Sequence, residues 1–505
     1  MRNAIFAVES SYASELEGFY VPWKPVAAPT PRLLYLNHEL AEDLRLDLTA
    51  VDRPTLAALF SGNRLPEGAT PIAQAYAGHQ FGRFSPQLGD GRALLIGEVI
   101  DRYGKRRDIA FKGSGRTPFS RDGDGKAALG PMLREVLLGE AMHALGIPTT
   151  RALAVVGTGE PVYREKELPG AQLTRVAASH IRVGTFEFFA ARGAYDRVRQ
   201  LADYTIARHD QALVGEPERY LDLLRAAARR QAALVAQWMN VGFIHGVMNT
   251  DNMSIAGETI DYGPCAFMEA YDPAAVFSSI DAHGRYAFEN QSRIAQWNLA
   301  RFAETLLPLL ADDEQRARAL ATEVVEGFAD VFQRDWLAGV RAKLGLRGRV
   351  EHADRIDAAL AEDWLALLQA DKVDFTLAWR RLAGVAEGHP EPLRGLFADQ
   401  RALAVWLDRW RARCAAEDLE SPSSEGVNAG RSRANSMRRA NPWLIPRNHR
   451  VEEALLAASD EGELEPFEQL LAALKHPYDE QAGLARFAEP AADSFTAAYR
   501  TYCGT

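Results

Sequence analysis

Up to about residue 180 the apolar positions come mostly in short runs bounded by glycine and polar turns; beyond 186 they recur every three or four residues. In the first part, 93–100 and 107–112 predict two strands joined by a hairpin at Tyr103-Gly104, and 152–156, 162–166 and 171–176 predict further short strands. Helical spacing occurs there at 31–46, through Leu33, Leu34, Leu36, Leu40 and Leu44, and again at 127–145. In the second part an Ala/Leu-rich stretch at 221–240 predicts a long helix that runs straight into a loop at 242–252. Helical patterns resume at 294–310 and 313–340 and continue past Trp410. The stretch 420–435, rich in Ser, Gly, Asn and Arg and without periodicity, reads as a loop or mobile linker. No internal repeat is visible.

Composition narrows the field. The chain has 505 residues, 47% hydrophobic and 25% charged, an ordinary globular balance with room for several domains. Its formal charge of −10 argues against a general nucleic-acid binder, which needs a basic face to displace counterions. The cysteines, Cys265, Cys414 and Cys503, form no CxxC and no zinc-spaced cluster, which suits a reducing cytoplasm. Cys503 is read either as an inert tail thiol, as a free reactive one, or as half of a bridge to Cys265 or Cys414. No apolar run approaches the roughly 20 residues needed to span a bilayer, and the first ten residues lack the apolar core of a signal peptide. The expected setting is therefore cytoplasmic, with no membrane partner.

The chemistry is concentrated between Phe243 and Gly263: F-I-H-G-V-M-N-T-D-N-M-S-I-A-G-E-T-I-D-Y-G. Phosphotransfer loops of the kinase type run H-R-D or H-G-D, then four residues, then a metal-binding Asn, with a D-F-G-like second ligand beyond. His245, Gly246, Asn252 and Asp261-Tyr262-Gly263 fill those places, but Val247 stands where the proton-accepting Asp belongs. Asn252 and Asp261, nine residues apart with Gly257 between them, fit a tight hairpin that brings two oxygen ligands to one divalent ion. Asp251 is the substitute base, its alternative role being a turn cap.

Upstream, Lys112 closes a strand and Glu135 follows 23 residues later within a predicted helix, the spacing of a phosphate-contacting lysine and the acid that orients it. Arg116, Arg121 and Lys126 are interleaved with Gly113, Gly115, Gly123 and Gly125, a composition that lets backbone and cations approach phosphate together. Gly89-Asp90-Gly91-Arg92 reads more simply as a β-turn, and Arg175 and Arg182 as phosphate clamps or surface charges. A strand-rich part followed by a helical part bearing such a loop predicts an α+β, two-lobed, protein-kinase-like fold.

Several long strings resemble the selenoprotein O family, called YdiU in bacteria: G-H-Q-F-G at 78–82, L-G-D-G-R at 88–92 and F-K-G-S-G-R-T-P-F-S-R-D-G-D-G at 111–125. H-G-V-M-N-T-D-N-M-S at 245–254, D-Y-G-P at 261–264 and N-P-x-x-I-P-R-N-H at 441–449 extend the match over nearly the whole chain. The resemblance implies a catalytic pseudokinase fold that passes AMP from a reversed ATP to Ser, Thr or Tyr hydroxyls of target proteins and releases pyrophosphate. UTP stands as a second donor. By position it implies that Gly89, Gly91, Arg92, Lys112, Asp124, Gly125, Arg175 and Arg182 contact nucleotide, with Glu135 pairing the lysine. It implies further that Asn252 and Asp261 bind Mg²⁺ or Mn²⁺ and that Asp251 accepts the proton. Some relatives carry a tail selenocysteine, and the resemblance raises the option of a bridge from the tail to a cysteine beyond D-Y-G. Here the tail has Cys503, Ser278 and Ser279 stand farther along that loop, and Cys265 is the nearest partner. The expected organisation is an N-terminal extension (1–85), a strand-rich lobe (86–183), a helical lobe (184–418), and a linker with a C-terminal helical segment (419–505). The rival readings are a non-catalytic nucleotide-binding scaffold and an atypical kinase using Asp251.

Overall fold

An antiparallel hairpin organises the first half of the molecule. In the computed structural model, which describes residues 5–348, 353–420 and 429–502, strands Ala93–Ile100 and Arg106–Lys112 pair as the sequence predicts. Their turn is held by Asp101, whose Oδ1 accepts from the backbone N–H groups of Tyr103 and Lys105 at 2.9 and 2.8 Å.

In chain order the strands are β1 (Tyr20–Pro22), β2 (Arg32–Leu36), β3 (Ile72–Gln74), β4 (Gly78–Gln80), β5 (Arg83–Ser85), β6 (Ala93–Ile100), β7 (Arg106–Lys112), β8 (Ala127–Ala128), β9 (Arg151–Tyr163) and β10 (Glu167–Ala177). The main sheet runs β1-β3-β6-β7-β10-β9-β2, with β8 paired to β10; β4 and β5 form a separate two-stranded hairpin. The register sets Lys112 opposite Leu173, with Arg175 opposite Ala110, so these cations arise from neighbouring strands.

Three expectations change. Residues 32–36 are a strand rather than the start of a helix, because Leu33 and Leu36 find hydrogen-bonded partners in Val156 and Ala154 of β9; only His38–Asp43 is helical. The three short strands at 152–176 are two long ones. Gly157 stays within the ladder, and Pro161, opposite Pro169, lies past the end of β2, where its missing N–H costs nothing. Of 420–435, residues 429–435 belong to a helix, Ala429–Ala440, that buries Ala434 and Met437, while Arg433 donates to Gly345 O (2.5 Å) and Asp418 (2.7 Å). Residues 421–428 of that stretch lie outside the described ones.

The helices that matter to the site are α1 (Leu129–Ala144), α2 (Val183–Ala190) and α3 (Arg219–Val241). Helix α1 packs Leu133, Val136 and Leu137 into the core that also holds Val155 and Leu173 of the sheet. Helix α3 ends at Gly242, whose φ of +75° reverses the chain into the loop that follows. The polypeptide returns at its C-terminal end. Leu444, Ile445, Leu470 and Leu474 join the same core, whereas Trp364, Trp379, Trp406 and Trp410 build a second one among the later helices. The whole is a mixed α/β structure with one large sheet and extensive helical parts.

Candidate active site

A cleft of about 920 Å³ opens between the sheet, α1 and the loop after α3. Gly89, Gly91, Arg92, Lys112, Asp124, Gly125, Glu135, Arg175, Arg182, Asp251, Asn252 and Asp261 all line it. Residues up to 172 apart in sequence thus share one wall because β7, β10, α1 and the loop converge there.

At one end Lys112 Nζ donates to Glu135 Oε1 (2.7 Å) and to Asp261 Oδ1 (2.5 Å), and Arg175 Nη1 reaches the same Oδ1 at 2.7 Å. Burial alone would push the Asp261 carboxyl up, but Lys112, Arg175 and Arg182 outweigh it and hold it well below the usual carboxylate range. Asp261 has φ +65°, a left-handed conformation that aspartate tolerates better than most residues. Its side chain keeps 24% exposure to the cleft, so it remains open to a ligand. The preceding carbonyl, of Ile260, accepts from His245 Nε2 (2.9 Å), and burial keeps that imidazole pKa low and the ring neutral. Arg134 of α1 braces the far side through Tyr262 O (3.2 Å) and Cys265 O (2.5 Å), and its own partner Glu452 comes from the C-terminal segment (3.1 Å).

Asn252 Nδ2 donates to Val247 O (3.0 Å), which commits the amide nitrogen and leaves its carbonyl oxygen as the atom able to ligate. The predicted 252–261 hairpin does not pair with itself. Gly257, at φ +76°, turns the chain, while Ile255 N bonds Ile181 O and Thr259 N bonds Pro148 O, sewing the loop to its neighbours instead. An amide oxygen and an ionised carboxylate suit a hard divalent cation that takes its other ligands from phosphate and water. Among the described residues no group of three or more His, Cys, Asp or Glu could hold a metal alone. Asn252 and Asp261 both line the cleft, a donor pair that fits such a cation.

Asp251 stands in a different environment. Its Oδ2 accepts from Gln80 Nε2 at 3.3 Å, and its Oδ1 has no hydrogen-bond partner among the described residues. Arg182 donates to its main-chain carbonyl (3.3 Å), not to its carboxylate. Burial pushes the carboxyl up to about 6 against the opposing pull of Arg182. Val247, in the position where the kinase pattern has its Asp, is buried and lines the same cleft.

Two further loops that line the cleft, 88–92 and 119–126, pack on each other. Gly89 has φ +70°, and a Cβ there would lie 2.3 Å from the Phe119 ring, so the loops can close only on a glycine. Thr117 Oγ1 donates to Asp90 O (2.6 Å), tying them together. Of the basic residues in the second loop, Arg121 and Lys126 line the cleft; Lys126 is paired with Glu160 (2.8 Å) and Asp124 with Arg164 (2.9 Å). Arg116 lies outside the cleft lining, and its guanidinium donates to Arg121 O (2.7 Å).

Sequence reading missed Tyr76, Gln80, Asp90 and Asn249, which also line the cleft. Tyr76 lies under the Arg182 guanidinium at 4.4 Å. Asp90 accepts from Gln74 N (3.0 Å), and burial pushes its carboxyl up to about 6. The strings around Gln80, Asp90 and Asn249 were visible; their contacts were not. Cys265 and Cys414 are buried free thiols, each pushed up to about 12 by burial. Cys503 lies outside the described residues, but Thr501 just before it pairs with Ser278. No helix among the described residues is long and apolar enough to cross a membrane.

Comparison with known proteins converges. Residues 4–475 match the family model described as "Protein adenylyltransferase SelO". The chain is 61% identical over 487 residues to a "Protein nucleotidyltransferase YdiU" of Chromobacterium violaceum, covering 96% of this chain and 99% of that protein. It is 60% identical over 501 residues to one of Cereibacter sphaeroides (99% and 100% covered), and 54% identical over 505 residues to one of Rhizobium etli (100% and 98%).

Proposed function

As a member of the SelO family of protein adenylyltransferases this chain is a protein nucleotidyltransferase, and we propose that it passes AMP from ATP to Ser, Thr or Tyr hydroxyls of target proteins, releasing pyrophosphate. UMP transfer from UTP follows the same chemistry. The strand-rich 86–183 and helical 184–418 act as the two lobes of a kinase-like fold; the described residues of 1–85 add β1, β2 and β3 to the sheet of the first, and those of 419–505 pack into both cores.

In this reading the triphosphate lies reversed. Its β and γ groups sit under the loops at Gly89–Arg92 and Asp124–Gly125, with Lys112, Arg175 and Arg182 neutralising them. Glu135 holds Lys112 in place, which limits the side-chain entropy still to be lost when phosphate binds. Asn252 and Asp261 would hold a divalent cation, Mg²⁺ or Mn²⁺, which when bound supplies further neutralisation of phosphate charge. The acceptor oxygen attacks the α-phosphorus as Asp251 takes its proton, and the bond to the β-phosphate oxygen breaks, so that pyrophosphate departs toward the cationic end. Fixed charges aimed at the developing negative charge carry most of the acceleration.

One observation carries the mechanism: a single cleft holds two acids of opposite character, Asp261 saturated with cations and Asp251 buried with only an amide at its carboxylate. The first has the properties of a ligand and the second those of a base. ATP labelled separately at the α and γ positions tests it. Protein-bound α label is the expected result. Transferred γ label instead would mean kinase chemistry with Asp251 as base, and binding with neither label transferred would mean a scaffold.

A further inference from the structure

The string G-H-Q-F-G takes no part in the nucleotide or metal contacts above, yet it lies along the loop that carries Asp251. His79 N donates to Thr250 Oγ1 (2.6 Å), Gln80 Nε2 to Asp251 Oδ2 (3.3 Å) and Phe81 N to Asn249 Oδ1 (3.0 Å), so consecutive residues of one segment pin consecutive residues of the other. Glu187 of α2 closes the set. Its carboxylate bridges the His79 ring (2.5 Å) and the Thr250 hydroxyl (2.5 Å), so the pinning strand and the loop share one buried acid. At Gly78 a Cβ would come within 2.5 Å of Asp251 Oδ1. The carboxylate is therefore seated on a bare glycine that covers Oδ1, and Oδ2, beside Gln80, is the oxygen left to receive a proton.

We propose that Gln80 is a positioning residue for the transfer reaction: its side-chain amide fixes the carboxylate of Asp251 so that Oδ2 meets the acceptor hydroxyl. This rests on the reading of Asp251 as the base. The long 3.3 Å contact suits the role, since a donor that holds Oδ2 loosely sets its direction while leaving lone-pair density for the incoming proton. Proton transfer depends steeply on such alignment, whereas nucleotide binding at the Lys112 end does not involve Gln80.

The test uses the full chain, α-labelled ATP, and an acceptor protein found by labelling a cell extract with it. Gln80→Leu keeps the volume and removes the donor. It should lower kcat about tenfold or more while the KM for ATP changes less than twofold. In a D251N background, whose residual transfer is read with the same label, Q80L should cause no further loss, because there is no longer a carboxylate to position. If Q80L does not fold by thermal melt, Gln80→Glu, nearly identical in shape, carries the same expectation: kcat falls with KM kept. Wild-type kcat in Q80L or Q80E, a loss confined to the KM for ATP, or an equal loss in the D251N background would each overturn the proposal. D251N lost with Q80L intact removes this inference alone; D251N with wild-type transfer removes the reading of Asp251 as well.

Discussion

The two ends of the cleft treat an aspartate in opposite ways. At Asp261 two cations converge on one oxygen, so the folded chain favours the charged form and the backbone accepts a left-handed φ to put it there. At Asp251, ten residues earlier, the carboxylate is just as much part of the cleft wall, but it has one amide at 3.3 Å and an oxygen with no partner among the described residues. Identical side chains thus acquire different chemistry from their neighbours alone. Cations bonded to the carboxylate can make an acid a permanent charge, and burial that outweighs a nearby cation's pull can make it a proton acceptor.

Substitutions can break this contrast. The largest effect is expected for Asp261→Asn, which removes the proposed metal ligand and the shared acceptor of Lys112 and Arg175. Transfer of α label should fall by on the order of 10³-fold or more. Stability should fall too, by about 2 kcal/mol, because a buried Arg175 is left without its carboxylate. Next, Asp251→Asn should cost about 10²–10⁴-fold in kcat, the usual worth of a general base. Here stability should move the other way, by up to about 2 kcal/mol, since a poorly solvated charge is replaced by a neutral amide that can still accept from Gln80. Urea denaturation of both variants at pH 8 in EDTA reads the two signs, and equal signs would dissolve the comparison.

Lys112→Met is expected to lower transfer about 10²-fold and to weaken ATP binding, measured by calorimetry, while leaving Asp251 and its amide untouched. A variant with normal ATP affinity would detach the lysine from the phosphates. The smallest effect sharpens the picture at the Asp261 end. Cys265, buried and pushed up to about 12, should resist iodoacetamide at pH 7.5 for as long as the chain is folded, and react after unfolding in urea. Rapid alkylation of the folded protein would mean that the segment bearing Asp261 opens.

Much of the site was legible as spacing. Lys112 and Glu135, Asn252 and Asp261, and the missing base at Val247 are local patterns, and a chain that conserves their order carries them in its sequence whatever it packs against. The misreadings have a common cause. Residues 32–36 have helical spacing but became a strand once β9 offered an edge, and 429–435, read as part of a loop, belong to a helix in which Ala434, Met437 and Arg433 are buried. Gln80 was overlooked for the same reason: nothing in G-H-Q-F-G announces that it lies against a loop 171 residues away.

By itself, then, the sequence determined the inventory: a strand hairpin ending in a lysine, a helix bearing its acid, a glycine-rich loop, and a loop of phosphotransfer spacing with two candidate carboxylates. The folded chain alone decided which carboxylate keeps its charge, which keeps company only with an amide, and what holds each in place. Ionisation depends on burial and on the distance to other charges, and both are set by segments that meet only when β4, β7, β10, α1 and the loop after α3 close around one cleft.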